Sequence, residues 1–127
     1  GTDKNNSTRK VELVLVADDN DEVRRLVCAQ LNQSGYQTLE AVDGFDAVEK
    51  FLQASAQICL VVLDVVMPRM GGQVAATEIL KHKPGTPLLF ISGYSPEVSG
   101  YGELPGPILK KPFKSEQLKR LVKECLA

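Results

Sequence analysis

Residues 58–64 read Ile58-Cys59-Leu60-Val61-Val62-Leu63-Asp64, an unbroken apolar run closed by an acid. A strand with one wet face alternates polar and apolar side chains, whereas a run without alternation is buried on both faces, as at the centre of a parallel sheet. Residues 58–63 are therefore expected to form a central strand with helices on both sides. Asp64 is then delivered at its carboxyl end.

Working outward, residues 11–17 (VELVLVA) are a short, β-branched apolar run that suits a buried strand, and Asp18 and Asp19 follow it directly. From Asp21 to Gln33 the residues Val23, Leu26, Val27 and Leu31 recur at helical spacing. Asn20 or Asp21 is placed to cap that helix, and Gly35 to stop it. A brief second strand is expected over 36–41, and a helix over 42–51 with Ala47, Val48 and Phe51 on its inner face. Downstream of the MPRMGG loop the pattern predicts a helix over 74–81, a fourth strand over 87–91 and a fifth around Ile108 and Leu109. Ser115 is expected to cap a last helix with Leu118, Leu121, Val122 and Cys125 as its stripe. Between 94 and 106 serines, prolines and glycines leave little helix propensity, so any helix there should be short or irregular. Five strands alternating with helices indicate an α/β fold, a doubly wound five-stranded parallel sheet with right-handed crossovers.

Composition narrows the function. A chain of 127 residues, 43% hydrophobic, fits one core, so any output domain is expected elsewhere. Fifteen Lys and Arg against sixteen Asp and Glu give no basic excess for nucleic acid or an anionic membrane, and point to protein partners. Cys28, Cys59 and Cys125 are odd in number, lack CxxC spacing and sit in apolar stretches. They read as core fillers in a reducing, cytoplasmic setting, with neither disulfide nor zinc. No run approaches the roughly 18 to 20 apolar residues of a membrane span. The polar start, residues 1–10 (GTDKNNSTRK), is expected to be a leader or linker outside a domain over 11–127.

In doubly wound sheets ligands bind beyond the carboxyl ends of the strands, where the winding reverses. Asp18, Asp19, Asp64, Ser92 and Lys111 fall at the ends of four expected strands. Each has an ordinary reading alone: an acidic pair before a helix caps it and suits its dipole, Asp64 could belong to a turn, Ser92 is a strand-end hydroxyl, and Lys110 and Lys111 could be a solvated pair. Convergence on one sheet edge argues instead for a divalent-cation and phosphoryl site. His82, between Lys81 and Lys83, is expected at the surface, and Met67 and Met70 are expected to serve loop and core packing.

These motifs, namely Asp18-Asp19, the segment DVVMPRMGG from Asp64, Ser92-Gly93 and Lys111-Pro112-Phe113, resemble those of response-regulator receiver domains of two-component signalling. The resemblance runs over 11–127, and the SGY and KPF sequences are similar to those of receivers in hybrid sensor histidine kinases. It implies a flavodoxin-like strand order 2-1-3-4-5. It also implies a phosphoacceptor rather than a conventional enzyme, which catalyses its own phosphorylation from a phosphohistidine and its own dephosphorylation. Asp64 is then the nucleophile. Mg2+, with Mn2+ as an alternative, is held by Asp19, Asp64 and the carbonyl of Val66, and by Asp18 mostly through water. Lys111 and Ser92 contact the phosphoryl oxygens, Pro112 follows a cis peptide bond, and Gly93 leaves room. The implied partners are a histidine kinase or histidine phosphotransfer domain and a downstream protein domain bound through the fourth and fifth helical regions and fifth strand, with homodimerisation an open alternative.

Two positions depart from the family pattern. Ile108 stands where many members carry an aromatic residue whose inward turn accompanies activation, and Ser92 replaces the commoner threonine. Signalling is therefore expected to run through Ser92 and the 94–106 loop, with Val66 and Tyr94 lining the mouth. Two alternatives stay open: an interaction-only receiver fold without phosphorylation, and a phosphatase with an aspartyl-phosphate intermediate. The latter usually carries DxDx[TV] after its first strand, where this chain has ADDNDEV.

Overall fold

The structure is a computed structural model that describes residues 12–93 and 104–127. Its elements run β1 Leu13–Ala17, α1 Asp21–Gln33, β2 Gln37–Ala41, α2 Gly44–Ala54, β3 Ile58–Asp64, α3 Gly72–His82, β4 Leu88–Ser92, β5 Ile108–Lys110 and α4 Ser115–Leu126. The five strands form one parallel sheet in the order β2-β1-β3-β4-β5, as expected for a doubly wound fold.

The non-alternating run in β3 has the expected cause. Val61 and Leu63 join Leu15, Ala17, Phe51, Ile79 and Phe90 in a core under α2 and α3. Leu60 and Val62 join Val14, Val16, Val27, Leu31, Leu118 and Val122 under α1 and α4 on the other face. Each of the Val, Leu, Ile and Phe side chains contributes roughly 1.5–3 kcal/mol by leaving water, so β3 is anchored from both sides and the position of Asp64 is set by the core.

Several boundaries differ from expectation for local reasons. The second helix starts at Gly44 because the Asp43 carboxylate accepts from the Asp46 N–H at 2.8 Å, which makes Asp43 the cap. The third starts two residues early, at Gly72, and the fourth strand runs to Ser92. Ser115 is not the last cap: it lies inside α4 and Lys114 precedes it, with the Gln117 side chain accepting from the Lys114 N–H at 2.8 Å. Asn20 caps α1 by accepting from Val23 N–H at 3.1 Å. Leu26 departs from the expected inner stripe and is 49% exposed, while Arg24 and Cys28 take inner positions. All three cysteines are free, and Cys59 and Cys125 are only half-buried. His82 is exposed and lies edge-on to Phe51, with Met67 and Met70 packed against the α2–α3 core.

Two glycines let the loop after β3 close on its neighbours. A Cβ on Gly72 would lie 2.3 Å from the carbonyl oxygen of Asp64, and one on Gly44 would lie 2.2 Å from that of Met70. The Gly44 N–H donates to that Met70 oxygen at 2.9 Å. Arg69, at φ 66, reinforces the contact with an ion pair to Asp43 at 2.9 Å and a guanidinium 5.1 Å above the Phe45 ring. Residues 1–11 and 94–103, and with them the expectations for the leader, for Val11 at the start of the first strand and for Tyr94 and most of its loop, lie outside the described residues.

Candidate functional site

The winding reverses between β1 and β3, and the acidic residues gather there. The parallel register sets Ala17 beside Leu63, so Asp18 and Asp19 leave β1 level with Asp64. On the other side Asp64 pairs with Ile91 and Ser92 with Lys110, which brings Ser92 and Lys111 to the same edge. The Lys111 N–H donates to the Ser92 carbonyl at 2.7 Å, and the Lys111–Pro112 peptide is cis.

Carboxylate oxygens of Asp18, Asp19 and Asp64 lie within 4.8 Å of one another. Asp18 and Asp64 are buried, whereas Asp19 is exposed at the mouth. The Lys111 ammonium stands 3.3 Å from Asp18 Oδ2 and 3.4 Å from Asp64 Oδ2. Asp18 Oδ1 accepts from the Asn20 N–H at 2.9 Å, while Oδ2 is buried without a hydrogen bond and has Lys111 as its neighbour. Three carboxylates thus face one lysine, an excess of negative charge with room for a cation.

The ionisation of the site reflects that excess. Burial pushes the Asp64 carboxyl up to about 7, the Asp18 carboxylate adds to the effect, and Lys111 only partly opposes it. For Lys111 burial alone would favour loss of the proton, but Asp64 and Asp18 outweigh it and hold the ammonium above its usual range. Ser92 is 1% exposed at the end of β4, and the position above Gly93 is open, with nothing within 4 Å of where a Cβ would stand. Val66, two residues beyond Asp64, is 54% exposed. The expected cluster is therefore brought together except for Tyr94, which lies outside the described residues.

One residue in contact with the site has no counterpart in the sequence reading. Arg24 is 6% exposed and its Nη1 donates to the Asp18 carbonyl at 2.8 Å. The signal was its spacing: Arg24, Val27, Cys28 and Leu31 form an i, i+3, i+4, i+7 set, so a cation stands on the buried stripe of the helix that follows the acidic pair.

Such a sheet, with an acidic, lysine-closed pocket at its winding reversal, defines the class as a flavodoxin-like α/β domain with a cation-seeking site. Residues 14–123 match the family model described as the response regulator receiver domain. The chain belongs to this family, the receiver domains of two-component systems. It is 36% identical over 121 residues to the sensor kinase CckA of Brucella abortus, covering 89% of this chain and 12% of that kinase. It is 40% identical over 84 residues to the autoinducer 1 sensor kinase/phosphatase LuxN of Vibrio campbellii, covering 66% of this chain and 10% of LuxN. The chain thus spans about an eighth or less of the length of these two relatives. Among solved structures, the receiver domain of the hybrid histidine kinase CckA superposes with a TM-score of 0.77 at 30% identity, covering 91% of this chain and 99% of that one. The response regulator TrrA of Thermotoga maritima, solved with Mg2+ and beryllium fluoride, superposes with a TM-score of 0.81 at 30% identity, covering 91% and 100%. Among the described residues no helix is long and apolar enough to cross a membrane.

Proposed function

We propose that this domain accepts a phosphoryl group on Asp64 from a phosphohistidine of a partner protein and thereby switches a protein-binding surface. The observation that carries the reading is the Asp18, Asp19 and Asp64 cluster within 4.8 Å, closed by a lysine 3.4 Å from Asp64. An Asp64 oxygen attacks phosphorus, a P–O bond forms as the P–N bond to the imidazole breaks, and the ring nitrogen keeps the bonding electron pair. Water later attacks the phosphorus of the acyl phosphate, the P–O bond to Asp64 breaks, and the carboxylate returns as inorganic phosphate leaves.

The donor set fits Mg2+: hard oxygen ligands, few of them from protein, with a buried Asp18 oxygen that lacks a hydrogen bond. Asp19 and Asp64, the carbonyl of Val66 and, through water, Asp18 would hold it. Bound there, Mg2+ supplies positive charge that lets two anions approach and orients the displacement. Lys111 sits where it can turn from its carboxylate partners to a phosphoryl oxygen. Ser92 offers a hydroxyl at the end of β4, and the open space at Gly93 admits the group.

Val23, Leu26, Pro112 and Phe113 line a cavity of about 450 Å³ with Gly93 and Lys111. This apolar patch beside the mouth supports docking of the phosphohistidine-bearing partner, a histidine kinase or histidine phosphotransfer domain, against α1. The likeness to CckA and LuxN supports a place within or alongside a sensor kinase, in the cytoplasm and in a phosphorelay. A downstream protein domain, or a second copy of the chain, would then read the switched surface.

Intact mass after incubation with acetyl phosphate or phosphoramidate tests the reading. One phosphoryl adduct is expected, dependent on Mg2+ and absent from Asp64→Asn. No adduct under any condition would leave an interaction-only domain, and an adduct surviving Asp64→Asn would mean another nucleophile.

A further inference from the structure

Arg24 is a buried cation committed to three different partners. Its Nη1 donates to the Asp18 carbonyl at 2.8 Å, its Nη2 to Asp21 at 2.7 Å and its Nε to Glu40 at 2.8 Å. Asp18 belongs to the loop after β1, Asp21 to the first turn of α1, and Glu40 to the end of β2. Glu40 is itself tied down, since the Lys50 ammonium of α2 donates to its carbonyl. Burying a guanidinium is costly unless its hydrogen-bonding capacity is met, and a planar fork can meet three acceptors only if they are held in place.

The Asp18 carbonyl is where this clamp meets the site. Asp18 and Asp19 are adjacent, so the peptide that Arg24 grips sets the direction of both side chains. Three carboxylates within 4.8 Å repel one another, and a loop held only by its own backbone would relax by moving the acidic pair away from Asp64. The Asp18 N–H bond to Ala41 is long, at 3.2 Å. The guanidinium supplies the shorter restraint on the same residue, at 2.8 Å to its carbonyl.

We propose that Arg24 is a positioning residue for the acidic site: by clamping the Asp18 carbonyl to α1 and β2 it holds the Asp18 and Asp19 carboxylates at the spacing a divalent cation needs. The inference rests on the phosphoacceptor reading, and it makes a prediction opposite to that of charge alone. A nearby positive charge competes with Mg2+, so deleting it should tighten binding if Arg24 acts only through its field. If Arg24 positions the ligands, deleting it loosens binding, as removal of a group that orients metal ligands typically does by 10–100-fold.

Calorimetric titration with Mg2+, alongside urea unfolding, separates these roles for the wild type, Arg24→Gln, Arg24→Lys and Glu40→Gln. The expected result is a Kd raised about tenfold or more in Arg24→Gln, a smaller loss in Arg24→Lys, which keeps the charge but not the fork, and a smaller loss still in Glu40→Gln. Tighter binding in Arg24→Gln overturns the inference in favour of a field effect. Lower stability with unchanged Kd overturns it in favour of a purely structural role. If Arg24→Gln does not fold, Arg24→Lys and Glu40→Gln decide by the same criteria. A wild type that binds no Mg2+ removes the phosphoacceptor reading and this inference together, whereas a wild type that binds and variants that bind equally well remove this inference alone.

Discussion

Asp64→Asn, the substitution that abolishes the proposed phosphoacceptor, should stabilise the metal-free protein. The Lys111 ammonium attracts Asp64 at 3.4 Å, and Asp18 and Asp19 repel it from within 4.8 Å. At an effective dielectric of about 20 these amount to about 5 kcal/mol of attraction against about 3.5 kcal/mol of repulsion from each acid, about 7 kcal/mol together, so Lys111 does not offset its acidic neighbours. Desolvation of the carboxylate acts in the same direction, consistent with an Asp64 carboxyl raised from 3.8 to about 7. That displacement makes the ionised form about 4 kcal/mol unfavourable at pH 8. Water at the mouth screens part of it, and about 1–3 kcal/mol is expected.

Because the folded-state value lies above the unfolded one, the protonated carboxyl adds stability that is fully present below about 3.8 and is lost as pH rises through about 7. Urea unfolding in a chelator at pH 8 should place the Asp64→Asn midpoint roughly 1 M above wild type, at about 1–3 kcal/mol per molar of urea. The gap should narrow towards pH 5. Saturating Mg2+ should reverse the order, since a ligand at 100 times its Kd adds about 2.7 kcal/mol to the form that binds it, and the variant lacks a ligand oxygen's charge. A variant less stable than wild type in chelator at pH 8 would refute the reasoning, because it would mean that Lys111 pairing outweighs burial.

Further outcomes follow from other contacts. Val66→Asn should speed loss of the acyl phosphate severalfold, measured by mass decay, because an exposed apolar side chain beside Asp64 is exchanged for an amide that can orient water. Gly72→Ala should destabilise by about 1–3 kcal/mol in urea and weaken Mg2+ binding, since its Cβ would press on the Asp64 carbonyl at 2.3 Å. Asp43→Ala should cost about 1–2 kcal/mol at pH 7, through loss of the α2 cap and the Arg69 pair. Burial raises the Asp43 carboxyl, but the Asp46 N–H and Arg69 outweigh it and hold it below its usual value. That contribution is therefore present above about pH 4 and disappears in acid, so the two proteins should converge at low pH.

The sheet and most of the site were legible in the chain because both rest on short-range pattern. A run such as residues 58–63 can satisfy its apolar side chains only at the centre of a covered sheet, and strands of a parallel sheet all deliver their ends to the same edge. Asp18, Asp19, Asp64, Ser92 and Lys111 could thus be placed together without coordinates. Helix ends were less legible where a side chain competes with the backbone. Asp43 caps α2, so that helix starts at Gly44, two residues after the apolar pattern begins, and α3 starts at Gly72, where the Asp64 carbonyl leaves no space for a Cβ.

Tertiary structure alone decided how the site is charged and held. Whether Asp64 is stabilised by Lys111 or made costly by burial and Asp18 depends on distances of 3 to 5 Å between residues 46 or more positions apart, which no local pattern encodes. The same is true of Arg24 and Leu26. Helical spacing places Leu26 on the expected apolar stripe, and only the packed neighbours turn Arg24 inward onto Asp18 and leave Leu26 exposed, lining one cavity with Phe113. Periodicity is a property of one segment, so sequence suffices for it. Burial of a charge is a property of everything around it, and that exists only once the chain has folded.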